Sequence, residues 1–189
     1  MALQKQQRMT IDEFEQLITQ PEYAQRRWEF IDGEVIEVPS NPLSSQIAAF
    51  IISALLAFVR PRGLGHVTGE GAGYRIEGRD YSPDVAFVAK ARQSSLPYNQ
   101  QYNPVPPDLM VEVLSPSNKK DKREREAMED KIRVCAYARI LLWIVDPELR
   151  SVKVYTPGKP VRTVEYDGVL NGGDVLPGFE LPVKDIFPE

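Results

Sequence analysis

Between Leu109 and Leu114 the chain reads Leu-Met-Val-Glu-Val-Leu, a buried core strand in every position but one. A carboxylate in such a run is costly unless it meets a cation, binds a metal or takes up a proton. Any fold for this chain must therefore bring a compensating group to Glu112. A second carboxylate, Asp84, opens the apolar run from Val85 to Ala89 and makes the same demand. A lysine answers both. On the charged segment 119–138, Ala127, Met128, Ile132, Cys135 and Ala138 recur at three- and four-residue steps and mark the inward face of a helix. Lys131 shares that face, three residues after Met128 and four before Cys135. Two inward carboxylates and one inward lysine satisfy one another if the fold makes them converge.

Singly, each residue has a plainer reading. Asp84 caps a turn in Ser82-Pro83-Asp84, Glu112 faces water on a half-exposed sheet, and Lys131 lays its stem on apolar surface with the ammonium in water. Jointly, those readings need three separate excuses where one convergent site needs only one.

Composition narrows the chemistry. Cys135 and His66 are the only residues of their kinds among 189, which excludes an intramolecular disulfide and a Cys/His zinc site within one chain. Any metal here would be held by oxygen. Lys plus Arg number 23 against 27 Asp plus Glu, for a net charge of -4, so the chain is no uniformly basic coat for nucleic acid, although a local basic patch remains open. The opening MALQKQQRMT lacks the apolar core of a secretory signal, and the longest apolar run, 47–59, has 13 residues. That run is short for a bilayer and reads as a buried core helix, so a cytoplasmic protein with no membrane partner is expected. Gly158-Lys159-Pro160 has no P-loop context, Gly69, Gly71 and Gly73 lack dinucleotide spacing, and His66 accompanies no nucleophile elbow.

The length suits one domain over 10–189, with 1–9 loosely held. Thr10 and Glu13 have capping-box spacing ahead of a helix from Ile11 to about Ile18. WEFI, Asp32-Gly33 and EVIEV read as a hairpin, and Asn41-Pro42 as the cap and first turn of a long helix that stops near Gly63. Strands are expected at 66–70, 73–77, 83–89, 108–114, 140–145, 151–155 and about 161–166. The stretch 92–107, rich in Gln, Asn, Pro and Tyr, reads as a long surface loop or lid. The class is α+β, a mixed central sheet flanked by helices with an N-terminal helix and hairpin.

Ser82-Pro83-Asp84, then Glu112 on a later strand, then a lysine, resembles the PD-(D/E)XK nuclease superfamily with its restriction-endonuclease-like fold. More narrowly, WEFIDGEV, SPDVAFV, PDLMVEVLSPS and WIVDPELRSVKVY are similar to a large bacterial family of restriction-endonuclease-like proteins. The likeness runs from about Thr10 to the closing LPGFELPVKDIF. It implies an acidic pair on adjacent strands, with Asp84, Glu112 and the Val113 carbonyl as ligands of Mg²⁺ or Mn²⁺ and Glu29 as a further acidic catalytic residue. Leu114 stands where the superfamily lysine usually lies, and Lys131 fits those members whose lysine has moved to the next helix. Two other departures concern the rim: Ser45 precedes Gln46 where relatives often carry a His, and ARILLW replaces a glycine-containing turn.

The resemblance implies metal-dependent hydrolysis of DNA phosphodiesters, with Lys131 orienting the water or stabilising charge on the phosphorus centre, and a homodimer whose two sites address both strands. Lys119, Lys120, Lys122 and Gln46 are candidate DNA contacts, with Arg123 and Arg125 beside them. Acids at 121, 124, 126, 129 and 130 interleave with these cations, so a solvated helix with internal pairs competes with that reading. Tyr98 and Tyr102 in the long loop could stack on bases or pack against the domain. The rival functions are an inactive nuclease-like module that binds DNA or assembles with a partner, and an acid-pair glycosidase needing neither metal nor Lys131.

Overall fold

The computed structural model describes residues 9–20, 23, 27–37, 41–116 and 122–188. Helix α1 (Ile11–Ile18) starts from the expected capping box: the Thr10 hydroxyl accepts from the Glu13 amide and the Glu13 carboxylate accepts from the Thr10 amide. Its buried Phe14 stacks on Phe30 with ring centroids 5.0 Å apart. Phe30 lies in β1 (Trp28–Ile31), which turns through Asp32 and Gly33, both at positive φ, into the antiparallel β2 (Glu34–Glu37). Positive φ at both central residues is what a two-residue hairpin turn requires.

Asn41 caps α2 (Pro42–Arg62), and Gly63 ends it in the left-handed conformation. This helix outruns the apolar stretch that announces it, and at 21 residues it is long and apolar enough to cross a membrane by length and composition. One face, carrying Ile47, Ile51, Leu55 and Val59, is buried in the main core. Opposite it, Leu43, Phe50 and Leu56 are exposed.

Strands β3 (Gly65–Gly69), β6 (Val85–Ala89), β8 (Leu109–Val113), β9 (Leu141–Asp146), β10 (Ser151–Tyr155) and β11 (Arg162–Val164) form a six-stranded sheet in the order β11-β10-β9-β8-β6-β3. Only β8 and β9 run parallel, and α3 (Lys122–Tyr137) lies between them in the chain. A second sheet, β2-β1-β5-β4-β7, is completed by β4 (Gly73–Ile76), β5 (Arg79–Tyr81) and β7 (Tyr102–Asn103). A final hairpin, β12 (Val169–Gly172) with β13 (Leu176–Pro182), packs Leu170, Leu176 and Phe179 into the α2 core. The chain passes from one sheet to the other between β5 and β6, through Ser82, Pro83 and Asp84.

The architecture is the mixed α+β expected. Three expectations change in detail. The segment 92–107 is not wholly a free loop, because β7 pairs in parallel with β4. Tyr102 is thereby buried, donates to the Trp28 carbonyl at 2.9 Å and has no face for a base, whereas Tyr98 is fully exposed. The strand β5 and the β12–β13 hairpin also went unforeseen. Positions 1–8, 119 and 120 lie outside the described residues.

Candidate active site

Asp84 immediately precedes β6, and Glu112 lies in the neighbouring β8. Continuing the register by one residue from Val85 opposite Val111 sets Asp84 against Glu112. The same step from Gly69 opposite Val85 sets Glu70 beside Asp84. A row of carboxylates therefore crosses three adjacent strands. Glu29 reaches this row from β1 in the other sheet, and Lys131 from the buried face of α3.

Lys131 Nζ is 2.8 Å from Glu29 Oε1 and 2.9 Å from Glu112 Oε1. All three side chains are almost wholly buried. Glu29 Oε1 accepts a true hydrogen bond from the ammonium and another from the Ser82 amide. Glu112 Oε1 has the ammonium as its ion-pair partner, though at a poorer hydrogen-bond angle than Glu29 Oε1. Burial pushes the Glu112 carboxyl up to about 8; the Lys131 charge opposes this, while Asp84 and Glu29 reinforce it. For Lys131, burial acts to lower the value, but attraction to Glu112 and Glu29 outweighs it and keeps the ammonium charged.

Asp84 is gripped at both oxygens. Its Oδ2 accepts from the Val113 amide at 2.7 Å, and its Oδ1 lies 3.3 and 3.4 Å from the two terminal nitrogens of Arg27. Burial raises its pKa, against the Val113 amide, Arg27 and Lys131. The N–H and C=O of an extended residue share one edge of the strand, so the Val113 carbonyl faces the Asp84 side as its amide does.

Several residues that position these groups carry no sequence signal. Asp130, next to Lys131, accepts from the Tyr81 hydroxyl at 3.1 Å and ion-pairs with Arg79 at 3.3 Å, which ties α3 to β5. Arg27 bridges Asp84 and Glu70. Glu29, Asp84, Glu112, Val113 and Lys131 line one cleft of about 50 Å³. Gln46 is exposed on α2 and does not line it. Lys122 is also exposed and pairs along its helix with Glu126 at 3.5 Å.

Among the described residues, no three Asp, Glu, His or Cys side chains form a metal-holding group. The donors nevertheless suit a hard cation. The buried Glu112 adjoins the part-buried Asp84, and a backbone carbonyl on the same strand edge offers a third oxygen.

A family model described as "Putative restriction endonuclease", under the name Uma2, matches residues 11–184. The chain belongs to this family. Among solved structures it is similar to a protein described as a "putative nuclease" from Anabaena variabilis, with a TM-score of 0.75 and 22% identity. The alignment covers 95% of this chain and 97% of that one. At this identity the likeness establishes a shared fold. No curated protein matches the chain. Membership of the Uma2 family agrees with the restriction-endonuclease-like resemblance carried by the Asp84 and Glu112 motifs.

Proposed function

We propose that this chain is a metal-dependent DNA endonuclease, with Mg²⁺ or Mn²⁺ held by Asp84, Glu112 and the Val113 carbonyl. The observation that carries the reading is the convergence in one cleft of Glu112, Asp84 and Lys131, with the Lys131 ammonium 2.9 Å from Glu112 Oε1 and the Val113 amide on Asp84 Oδ2. When bound, such a cation polarises a phosphate and acidifies a water. The protein's own groups do the rest. Lys131, kept charged by Glu29 and Glu112, presents an ammonium to the attacking water or to charge gathering on the phosphate. Glu29 holds that ammonium in place while the Ser82 amide fixes Glu29. Asp130 and Tyr81 fix the helix from which Lys131 projects. A homodimer presenting two clefts belongs to the same proposal, and sedimentation equilibrium tests it.

Supercoiled plasmid and single-stranded DNA, incubated with Mg²⁺, Mn²⁺ or a chelator, provide the test. Metal-dependent nicking is expected from the native protein and not from Asp84→Asn, Glu112→Gln or Lys131→Ala. Full turnover in both carboxylate variants overturns the assignment.

A second reading has one observation in its favour: Lys131 and Arg27 already ion-pair with Glu112 and Asp84. A nuclease-like module without catalysis needs no more than those pairs. Direct titration with Mn²⁺ separates the two, since binding lost on Asp84→Asn belongs to the nuclease alone.

A further inference from the structure

We propose that Arg27 is the substrate-phosphate ligand of this site, parked on Asp84 and Glu70 until Asp84 takes a cation; this rests on the nuclease reading. The guanidinium sits at the end of the carboxylate row away from Glu112, with Nη1 3.3 Å from Asp84 Oδ1 and 3.3 Å from Glu70 Oε2. These contacts are loose for charge-assisted pairs, which ordinarily close to about 2.7–2.9 Å. The same molecule shows the tight form, with Arg75 gripping Asp80 at 2.7 and 2.8 Å and Lys131 holding Glu29 at 2.8 Å, and repeats the longer form only at Arg79–Asp130 among the described pairs of comparable burial.

The loose grip lies on the oxygen a cation would need. Asp84 Oδ2 is taken by the Val113 amide, so Oδ1 is the oxygen that changes partner. A guanidinium that loses Oδ1 keeps Glu70, whose side chain is 41% exposed against 17% for Arg27 itself, and gains a free edge beside the site. Its planar fork of donors matches a phosphate's oxygens. Lys131, 5% exposed and clasped by two carboxylates, is left to the attacking water and the reacting centre, so the outer phosphate contact falls to Arg27.

The surroundings make the assignment more specific. A groove of about 440 Å³ between the β1–β2 hairpin and α3 adjoins the cleft, and six carboxylates line it against Arg123 and Arg133. A polyanion is repelled there. Its phosphate must be met at the other end of the row, where Arg27 stands. Glu70 then acts as the tether that keeps the released guanidinium close.

The test compares wild type, Arg27→Gln and Arg27→Lys in two titrations, after melting curves establish that each is folded. The first is Mn²⁺ alone. With the competing cation gone, Arg27→Gln binds Mn²⁺ a few-fold more tightly than wild type; weaker binding overturns the proposal. The second is a short duplex in Ca²⁺, its integrity checked by gel, over a series of salt concentrations. Arg27→Gln loses about tenfold or more in affinity, as befits one charge-assisted contact, and its log–log salt slope falls by about 0.9. Arg27→Lys retains the slope and loses part of the affinity, because the charge remains without the fork. Wild type that binds no duplex removes both the nuclease reading and this inference. Wild-type binding left unchanged by Arg27→Gln removes the inference alone.

Discussion

Replacing Lys131 by methionine keeps the stem of the side chain and deletes the charge that two buried carboxylates share. Glu29 and Glu112 are 4% and 6% exposed, so neither can turn to water for relief. Removing one partner of a buried ion pair typically costs about 3–5 kcal/mol. For a domain of this size that corresponds to a fall in melting temperature of about 6–20 °C. The loss depends on pH in a defined direction. Glu112 is pushed up to about 8 in the folded chain, against an ordinary glutamate value of about 4.3 unfolded. A raised folded value means that its contribution is fully favourable below the unfolded value and is lost as pH rises toward about 8. Deleting Lys131 removes the principal influence opposing that rise, so the two proteins lose this contribution in parallel up to about pH 8 and the variant's deficit widens above it. Adding Glu112→Gln to Lys131→Met recovers part of the loss above about pH 8, because the side chain that would otherwise have to ionise there is gone. Urea denaturation followed by circular dichroism below and above that pH measures both effects. A Lys131→Met protein that unfolds with the wild-type midpoint at every pH refutes the assignment of Lys131 as a buried ion-pair partner.

Three further outcomes follow from the same packing. Saturating Mg²⁺ raises the melting temperature of wild type and leaves Asp84→Asn unchanged, since a ligand that binds only the native state stabilises it by mass action; an equal rise in both proteins counts against the proposed site. Gly73→Ala places a Cβ 2.4 Å from the Tyr102 ring and lowers stability by about 1–3 kcal/mol in urea titration, with an unaltered midpoint as the contrary result. Cys135 is 1% exposed, and burial pushes its thiol up to about 12, so a thiol reagent at pH 8 labels the unfolded chain and spares the native one; rapid native labelling contradicts the packing.

What could be read from the sequence were the residues that break a local pattern. Glu112 interrupts a strand, Lys131 interrupts a helix face, and Thr10 with Glu13 keeps a fixed spacing; each signal lies within a few positions of the residue concerned. Asp32-Gly33 announces its hairpin for the same reason. Arg27 left no such mark, because Asp84 is 57 residues away and its contact exists only after two sheets meet. Asp130 was indistinguishable from the other acids of a highly charged helix until Tyr81 was found across from it. Tyr102 was hidden in the same way, in a stretch without periodicity whose strand is two residues long and owes its burial to β4 and Trp28.

The pair Glu29 and Lys131 are 102 positions apart in the chain, and they belong to different layers of the fold. Closing so long a loop costs entropy that is repaid only when both layers are in place, so this contact depends on both. Lys131 loses its Glu29 anchor as soon as the N-terminal hairpin lifts, while the six-stranded sheet behind it still stands. On the proposed mechanism, activity then reports the docking of the hairpin, and a partly assembled chain carries Asp84 and Glu112 without a positioned ammonium.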